Sequence, residues 1–281
     1  MKIHHLRNAT FVIESGKFHI LIDPMLSKKG KLPPFAWLRH KPRRNPLVSL
    51  PENASDVLGP VTHCLITHSQ KFGTKALQHT DHLDPAGESF LRKNNIPVIT
   101  RRQDASHLKK MGLNVVVDLN YWQPEPLLDG EITAIPALHG HRWINGLMAN
   151  GAGFFIQLPD EPSLYISGDT VYTQDVERVL TEFQPDIAVM AAGSASLDVG
   201  GPILMSLEEL VTFVREAPHK VVANHLEALN HCPTSRSQIK QTLAHHGLLS
   251  KVSIPSDGET LTYNNNRQQV PDVTPTVRHH K

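Results

Sequence analysis

Apolar and polar positions alternate along this chain in short runs broken by glycine, proline and polar turns, then lengthen into helical periods, and this succession occurs twice. Residues 10–14 and 18–22 read as two strands joined across Ser15-Gly16-Lys17, a connection suited to a tight hairpin, and Asp23-Pro24 ends the sheet. Residues 62–67 form an apolar run with the character of a strand. Asp84 has the chemistry of an N-cap, Pro85 suits the first helical position, and residues 86–93 continue the helix. A strand over 96–100 follows, then a helix over 105–111 capped by Asp104 and stopped at Gly112, then a strand over 115–119.

The second half repeats the theme. Strands are predicted over 132–138, 153–158 and 164–167, then a helix over 173–183 with Val176, Val179, Leu180 and Phe183 on one face. Residues 187–191 read as a buried strand. Ser206 and Glu209 have the spacing of a capping box opening a helix to Ala217; a strand over 220–223, a helix capped by Thr234 and running to about His245, and closing strands over 252–254 and 260–263 complete the pattern. Two successive β-then-α halves predict an α/β fold with four layers, αββα.

Two stretches stand outside the periodicity. Residues 28–56 mix proline and basic residues with scattered apolar ones (Phe35, Trp37, Leu38), a lid-like insertion whose aromatic side chains gain by covering something apolar, or which packs on the domain flank. From residue 264 onward the chain is rich in Asn, Gln and Pro with little to bury, which predicts a mobile tail and one large domain over 1–263.

Composition narrows the classes of function. A formal charge of +1 over 281 residues offers no global attraction to nucleic acid or to an anionic membrane. The first residues lack the apolar core of a signal peptide, and no apolar run is long enough to cross a bilayer. Two cysteines, Cys64 and Cys232, are too few for a disulfide framework, so a cytoplasmic protein is expected.

The candidate chemistry lies in His79-Thr80-Asp81-His82, which packs three metal-ligand side chains into four positions after a strand-like segment ending in Thr67-His68. Imidazole and carboxylate suit zinc first, and manganese or iron as alternatives. With 18 histidines chance clusters are expected, and His63, His107, His245 and His246 carry no further signal. Further candidates fall where strands end: His139, Asp169 in Ser167-Gly168-Asp169-Thr170, and His225. These seven positions suit two divalent metals with one carboxylate between them.

The order His…HxDH, His, Gly-Asp-Thr, His resembles the metallo-β-lactamase superfamily from about residue 1 to 263. Pro136-Ala137-Leu138-His139, residues 167–172 and the opening Ala9-Thr10-Phe11…Ile22-Asp23-Pro24 are most similar to its ascorbate-6-phosphate lactonase-like branch, which includes N-acylphosphatidylethanolamine phospholipase D. The resemblance implies a four-layer αββα metallo-β-lactamase-like sandwich. It also implies that His68, His79 and His139 hold one metal, Asp81, His82 and His225 the other, with Asp169 between them. One departure stands out: the family's first two histidines are usually two residues apart, whereas His68 and His79 are eleven apart. Either the segment after Ser69 bulges outward and leaves both ligands in place, or His68 leaves the site. Arg7-Asn8-Ala9, where relatives often carry Gly-His before the Ala, costs no ligand.

Such a centre implies hydrolysis by a metal-bridging hydroxide, with Asp81 as the most sensitive ligand and Tyr172 as a candidate oxyanion donor or, equally, a core aromatic. A flavodiiron role is disfavoured, because a Glu typically replaces the residue matched by His79 and no flavin domain follows. His141 and Arg142 after one ligand, and His231 and Arg236 after another, are candidates to contact substrate. The expected substrate is a small, anionic ester, lactone or phosphodiester. A nuclease or nucleotide phosphodiesterase of the same superfamily, and a non-catalytic metal-binding protein, are the alternatives.

Overall fold

A computed structural model of the chain describes residues 1–69, 79–141, 148 and 150–264. Its strands are β1 (Lys2–Arg7), β2 (Thr10–Ser15), β3 (Phe18–Ile22), β4 (His63–Ile66), β5 (Val98–Arg101), β6 (Val115–Leu119), β7 (Pro124–Leu127), β8 (Gly130–Ala137), β9 (Gly151–Gln157), β10 (Leu164–Ile166), β11 (Ile187–Ala191), β12 (Lys220–Asn224), β13 (Val252–Ser253) and β14 (Thr260–Thr262). They form two seven-stranded sheets, in the orders β14-β1-β2-β3-β4-β5-β6 and β13-β12-β11-β10-β9-β8-β7.

Period-two alternation sets the layers. In the first sheet Phe11, Ile13, Ile20, Ile22 and Leu65 face the second, where they meet Ile132, Phe154, Ile156, Ile187 and Val189 in one buried cluster. The intervening residues Val12, Leu21, Cys64 and Ile66 face outward onto a separate cluster with Leu91 and Leu108 from helices α2 (Pro85–Lys93) and α3 (Arg102–Lys110), which follow the short α1 (Ala54–Leu58). On the far side, α4 (Gln174–Arg178), α5 (Leu207–Glu216) and α6 (Arg236–His245) cover Phe155, Ala188, Met190 and Val221 of the second sheet. The layers run helices, sheet, sheet, helices, the αββα sandwich expected from the sequence.

Local signals account for most element ends. Asp84 accepts from the Gly87 N–H at 2.8 Å and Pro85 opens α2, as its sequence requires. Ser206 and Glu209 close the capping box at α5. Three expectations need correction. Asp104 lies inside α3, with Arg101 at the N-cap, because its carboxylate is drawn to Arg101 and the Ser69 backbone. Ser235 rather than Thr234 caps α6, in a box with Gln238. The helix expected over 173–183 is α4 followed by a π-turn over Val179–Phe183 that ends at Gln184 with φ +48°. β1 and β7 escaped sequence reading; β7 carries Pro124 and Pro126, which only an edge strand tolerates.

The insertion over 28–56 is built from irregular backbone until α1, and it is tied down by side chains from elsewhere. Asn230 accepts the Phe35 N–H and donates to the Ala36 carbonyl at 2.7 Å, while its own N–H reaches Asn45 at 2.9 Å. The Asp198 carboxylate accepts the N–H groups of Trp37, Leu38 and Arg39. Phe35 packs on the His231 ring at 5.3 Å, but Trp37 remains 59% exposed, so only the first of the two aromatics covers anything. The C-terminal segment from residue 265 lies outside the described residues.

Candidate metal centre

β3, β4 and β5 run parallel in one sheet, and β10, β11 and β12 in the other. Their C-terminal ends lie along one edge of the sandwich. There Asp23 follows β3, His68 follows β4, His139 follows β8, Asp169 follows β10 and His225 follows β12. Two residues at this edge have left-handed backbone, Asp23 at φ +45° and His225 at φ +59°, a region that non-glycine residues adopt infrequently. Gly168, at φ +61°, has no room for a Cβ, which would lie 2.7 Å from the Ala152 carbonyl oxygen; glycine there lets Asp169 turn inward.

All seven side chains put forward from the sequence are gathered here. His68, His79 and His139 bring one ring nitrogen each within 4.8 Å of one another, and Asp81, His82, Asp169 and His225 do the same. The two groups adjoin. Asp169 Oδ2 lies 3.1 Å from His82 Nε2, 3.5 Å from His225 Nε2 and 3.6 Å from His139 Nε2, so one carboxylate oxygen reaches both sets. Asp81 Oδ2 lies 3.8 Å from His82 Nε2 and 3.9 Å from His225 Nε2. The eleven-residue spacing leaves His68 in place: its Nε2 is 3.1 Å from His79 Nδ1, and the His79 N–H donates to the Ser69 carbonyl at 2.6 Å, closing the neck of the inserted segment. Residues 70–78 themselves lie outside the described residues.

The outer partners fix which nitrogen faces inward. His82 Nδ1 lies 2.8 Å from Asp23 Oδ2 and His139 Nδ1 2.7 Å from the Ile203 carbonyl, so each ring donates Nδ1–H outward and, in its neutral form, turns the Nε2 lone pair towards the centre. Thr67 Oγ1 donates to Asp23 Oδ2 at 2.7 Å and sits 3.2 Å from His68 Nδ1. Cys232 Sγ lies 3.5 Å from His225 Nδ1. Burial pushes the Cys232 thiol well above its ordinary range, so it is no thiolate nucleophile but a neutral neighbour of the ring.

Burial lowers His79 to about 4 and also lowers His68 and His139, leaving neutral imidazoles at pH 7, the form that binds metal. For His82 burial acts in the same direction, but the carboxylates of Asp169, Asp23 and Asp81 outweigh it and raise the ring well above its ordinary value. Asp169 is held well below the carboxylate range: burial opposes this, and His225, His82 and His139 override it. Such a cage favours a cation. Consistent with that, His82 Nε2, His225 Nε2 and Asp169 Oδ1 are buried without a hydrogen-bond partner among the described residues, and the inward nitrogen and oxygen donors suit a divalent ion of the zinc, manganese or iron type.

Of the flanking candidates among the described residues, only His231 stands at the cluster. Its ring is 4% exposed and is lowered to about 4 by burial, with the Asp81 carboxylate the largest opposing influence. His141 lies at the surface, its Nε2 2.8 Å from Glu209 Oε1. Arg142 lies outside the described residues. Arg236 is committed elsewhere: its guanidinium donates to Glu227, to the Pro255 carbonyl at 2.8 Å and to Asp257 at 2.6 Å. Tyr172 is not drawn in either. It packs on the outer cluster beside α4 and α5, and burial, helped by Glu177 and Glu216, pushes its hydroxyl up to about 12; that hydroxyl is shielded and has no hydrogen-bond partner among the described residues. Asp23 and Asp104 escaped sequence reading as neighbours of the centre because nothing local marks a carboxylate whose partner, the His82 ring for one and the Ser69 backbone for the other, lies far along the chain.

Fold and centre together define a metal-dependent hydrolase of the metallo-β-lactamase type. A profile of the beta-lactamase superfamily domain matches residues 19–225, and the chain belongs to that superfamily. It is 32% identical to the UPF0173 protein YddR of Bacillus subtilis (strain 168), over 94% of this chain and 100% of that protein. It is 26% identical to a UPF0173 metal-dependent hydrolase of Alkaliphilus metalliredigens (strain QYMF), over 87% of this chain and 96% of that one. Among solved structures, the isothiocyanate hydrolase from Delia radicum gut bacteria is 31% identical, with a TM-score of 0.83, covering 94% of this chain and 100% of the other. No helix among the described residues is long and apolar enough to cross a membrane.

Proposed function

We propose that this chain is a dinuclear hydrolase of small molecules, with His68, His79 and His139 holding one ion, Asp81, His82 and His225 the other, and Asp169 spanning both. The carrying observation is the reach of Asp169 Oδ2, within 3.1 to 3.6 Å of imidazoles from both groups. Bound there, zinc, or manganese or iron in its place, would supply Lewis acidity and lower the pKa of a coordinated water towards neutrality. The chain's own residues do the rest. Asp23, Ile203 and Thr67 hold the imidazoles in one tautomer, and His231, neutral at pH 7, is available to hydrogen-bond a substrate beside Asp81. Phe35 on the His231 ring keeps that side of the approach apolar.

For the substrate, a small ester, lactone or phosphodiester suits this chemistry. An anionic group has lost one of its expected partners, because Arg236 is engaged with Glu227 and Asp257. A second reading is therefore an uncharged electrophile of the isothiocyanate class, favoured by the activity named for the similar hydrolase. In that reaction water adds its oxygen to the central carbon, the carbon–nitrogen bond breaks, and the nitrogen takes both protons, so that R–N=C=S and H2O give R–NH2 and COS. The test is turnover of the metal-replete protein on lactones, phosphodiesters, carboxylic esters and isothiocyanates, with Asp81→Ala as the control. Turnover on one class that falls at least a hundredfold in the variant is expected; a variant retaining a tenth of the rate would contradict the assignment.

A further inference from the structure

The separation of His68 and His79 raises a physical question that the resemblance does not answer: with nine extra residues between them, chain connectivity no longer holds the two rings at one ion. Ser69 supplies the answer. Its carbonyl accepts the His79 N–H at 2.6 Å and its own N–H donates to Asp104 Oδ2 at 2.9 Å, so a single peptide segment links both histidines to one buried carboxylate. Asp104 is fully buried and its other oxygen accepts from Arg101 Nη2 at 2.9 Å. Arg101 Nη1 reaches the Tyr121 hydroxyl at 3.4 Å, and that hydroxyl donates to the Gly151 carbonyl at 2.9 Å. The circuit then returns to its start. A Cβ at Gly151 would stand 3.0 Å from His68 Cβ and 3.2 Å from its ring, so the Gly151 backbone is the wall against which His68 rests.

We propose that Asp104, with Arg101, Tyr121 and Gly151, forms a bracket that positions His68 and His79 across their eleven-residue separation. The inference rests on the dinuclear reading. The bracket draws on α3, the ends of β5 and β9 and the connection before β7, so it pins the ligand-bearing end of one sheet to the other. A buried ion pair is a costly way to add stability alone, and retaining one here is accounted for by what its carboxylate orients.

Two variants attack the bracket from opposite sides. Asp104→Asn keeps the shape but offers one acceptor oxygen to two donors, Ser69 N–H and Arg101, so one goes unpaired. Gly151→Ala leaves the ion pair intact and presses a methyl group onto His68. The readout is metal affinity by titration of the metal-free protein with Co(II), followed by its absorption spectrum, alongside thermal melting. Each variant should bind one of the two ions at least tenfold more weakly while the other changes less than twofold. The resulting one-ion spectrum should match that of His79→Ala. Should Asp104→Asn fail to fold, Gly151→Ala decides alone. Both ions binding with wild-type affinity, or both weakening in parallel with a lowered melting temperature, would overturn the bracket. A wild-type protein that binds fewer than two ions would instead overturn the dinuclear reading on which it rests.

Discussion

Tyr172 stands three residues after Asp169, a position from which a side chain can reach either the centre or the outer helices, and the direction it takes decides its chemistry. It packs outward, with a hydroxyl that is shielded and has no partner among the described residues. Removing a polar atom that has no partner abolishes a desolvation cost and no hydrogen bond. Tyr172→Phe is therefore expected to leave turnover unchanged and to raise stability by about 1 kcal/mol, read by thermal or urea unfolding. A tenfold fall in rate with unaltered metal content would return the hydroxyl to the reaction. At this scale the histidines and Asp169 were legible because ligand types at successive strand ends are a pattern within the sequence. Asp23 and Asp104 were not, because their partners, His82 and Ser69, lie 59 and 35 positions away.

At the scale of elements, Arg236 shows how position after a candidate ligand can mislead. It opens α6, where its guanidinium joins Glu227, the Pro255 carbonyl and Asp257, tying the helix to the turn that leads into β14. Asp257 is held below the usual carboxylate range: burial opposes this, and hydrogen bonds from His5 and Arg236 with their charges override it. A depressed carboxylate stabilises the fold above its unfolded pKa and loses that contribution as the pH falls through the folded value. Arg236→Met is expected to cost roughly 1–3 kcal/mol at pH 7, with the gap to wild type closing at acidic pH, while metal content and KM stay the same. A raised KM with unchanged unfolding would mark a substrate contact instead. The helices were legible through their caps and apolar faces. The insertion over 28–56 was not, because it has no period of its own and takes its order from Asn230 and Asp198.

At the scale of the whole molecule, two sheets alternate apolar residues between a shared inner cluster and separate outer ones, and the four layers were readable from sequence in the two successive β-then-α halves. The candidate ligands were placed at strand ends from the sequence, but strand order was not readable, since no local pattern fixes which strands become neighbours. The convergence is what turns seven scattered side chains into two adjoining donor sets, and two ions in one cage is the claim on which the rest depends. The most direct measurement is the metal content of protein stripped by chelator, reloaded with Zn(II) and freed of excess by gel filtration, quantified by elemental mass spectrometry for the wild type and for Asp169→Ala. The account predicts two ions per chain in the wild type and fewer than two in the variant, because Asp169 reaches both groups. One ion per chain in the wild type, or two retained without Asp169, would contradict it.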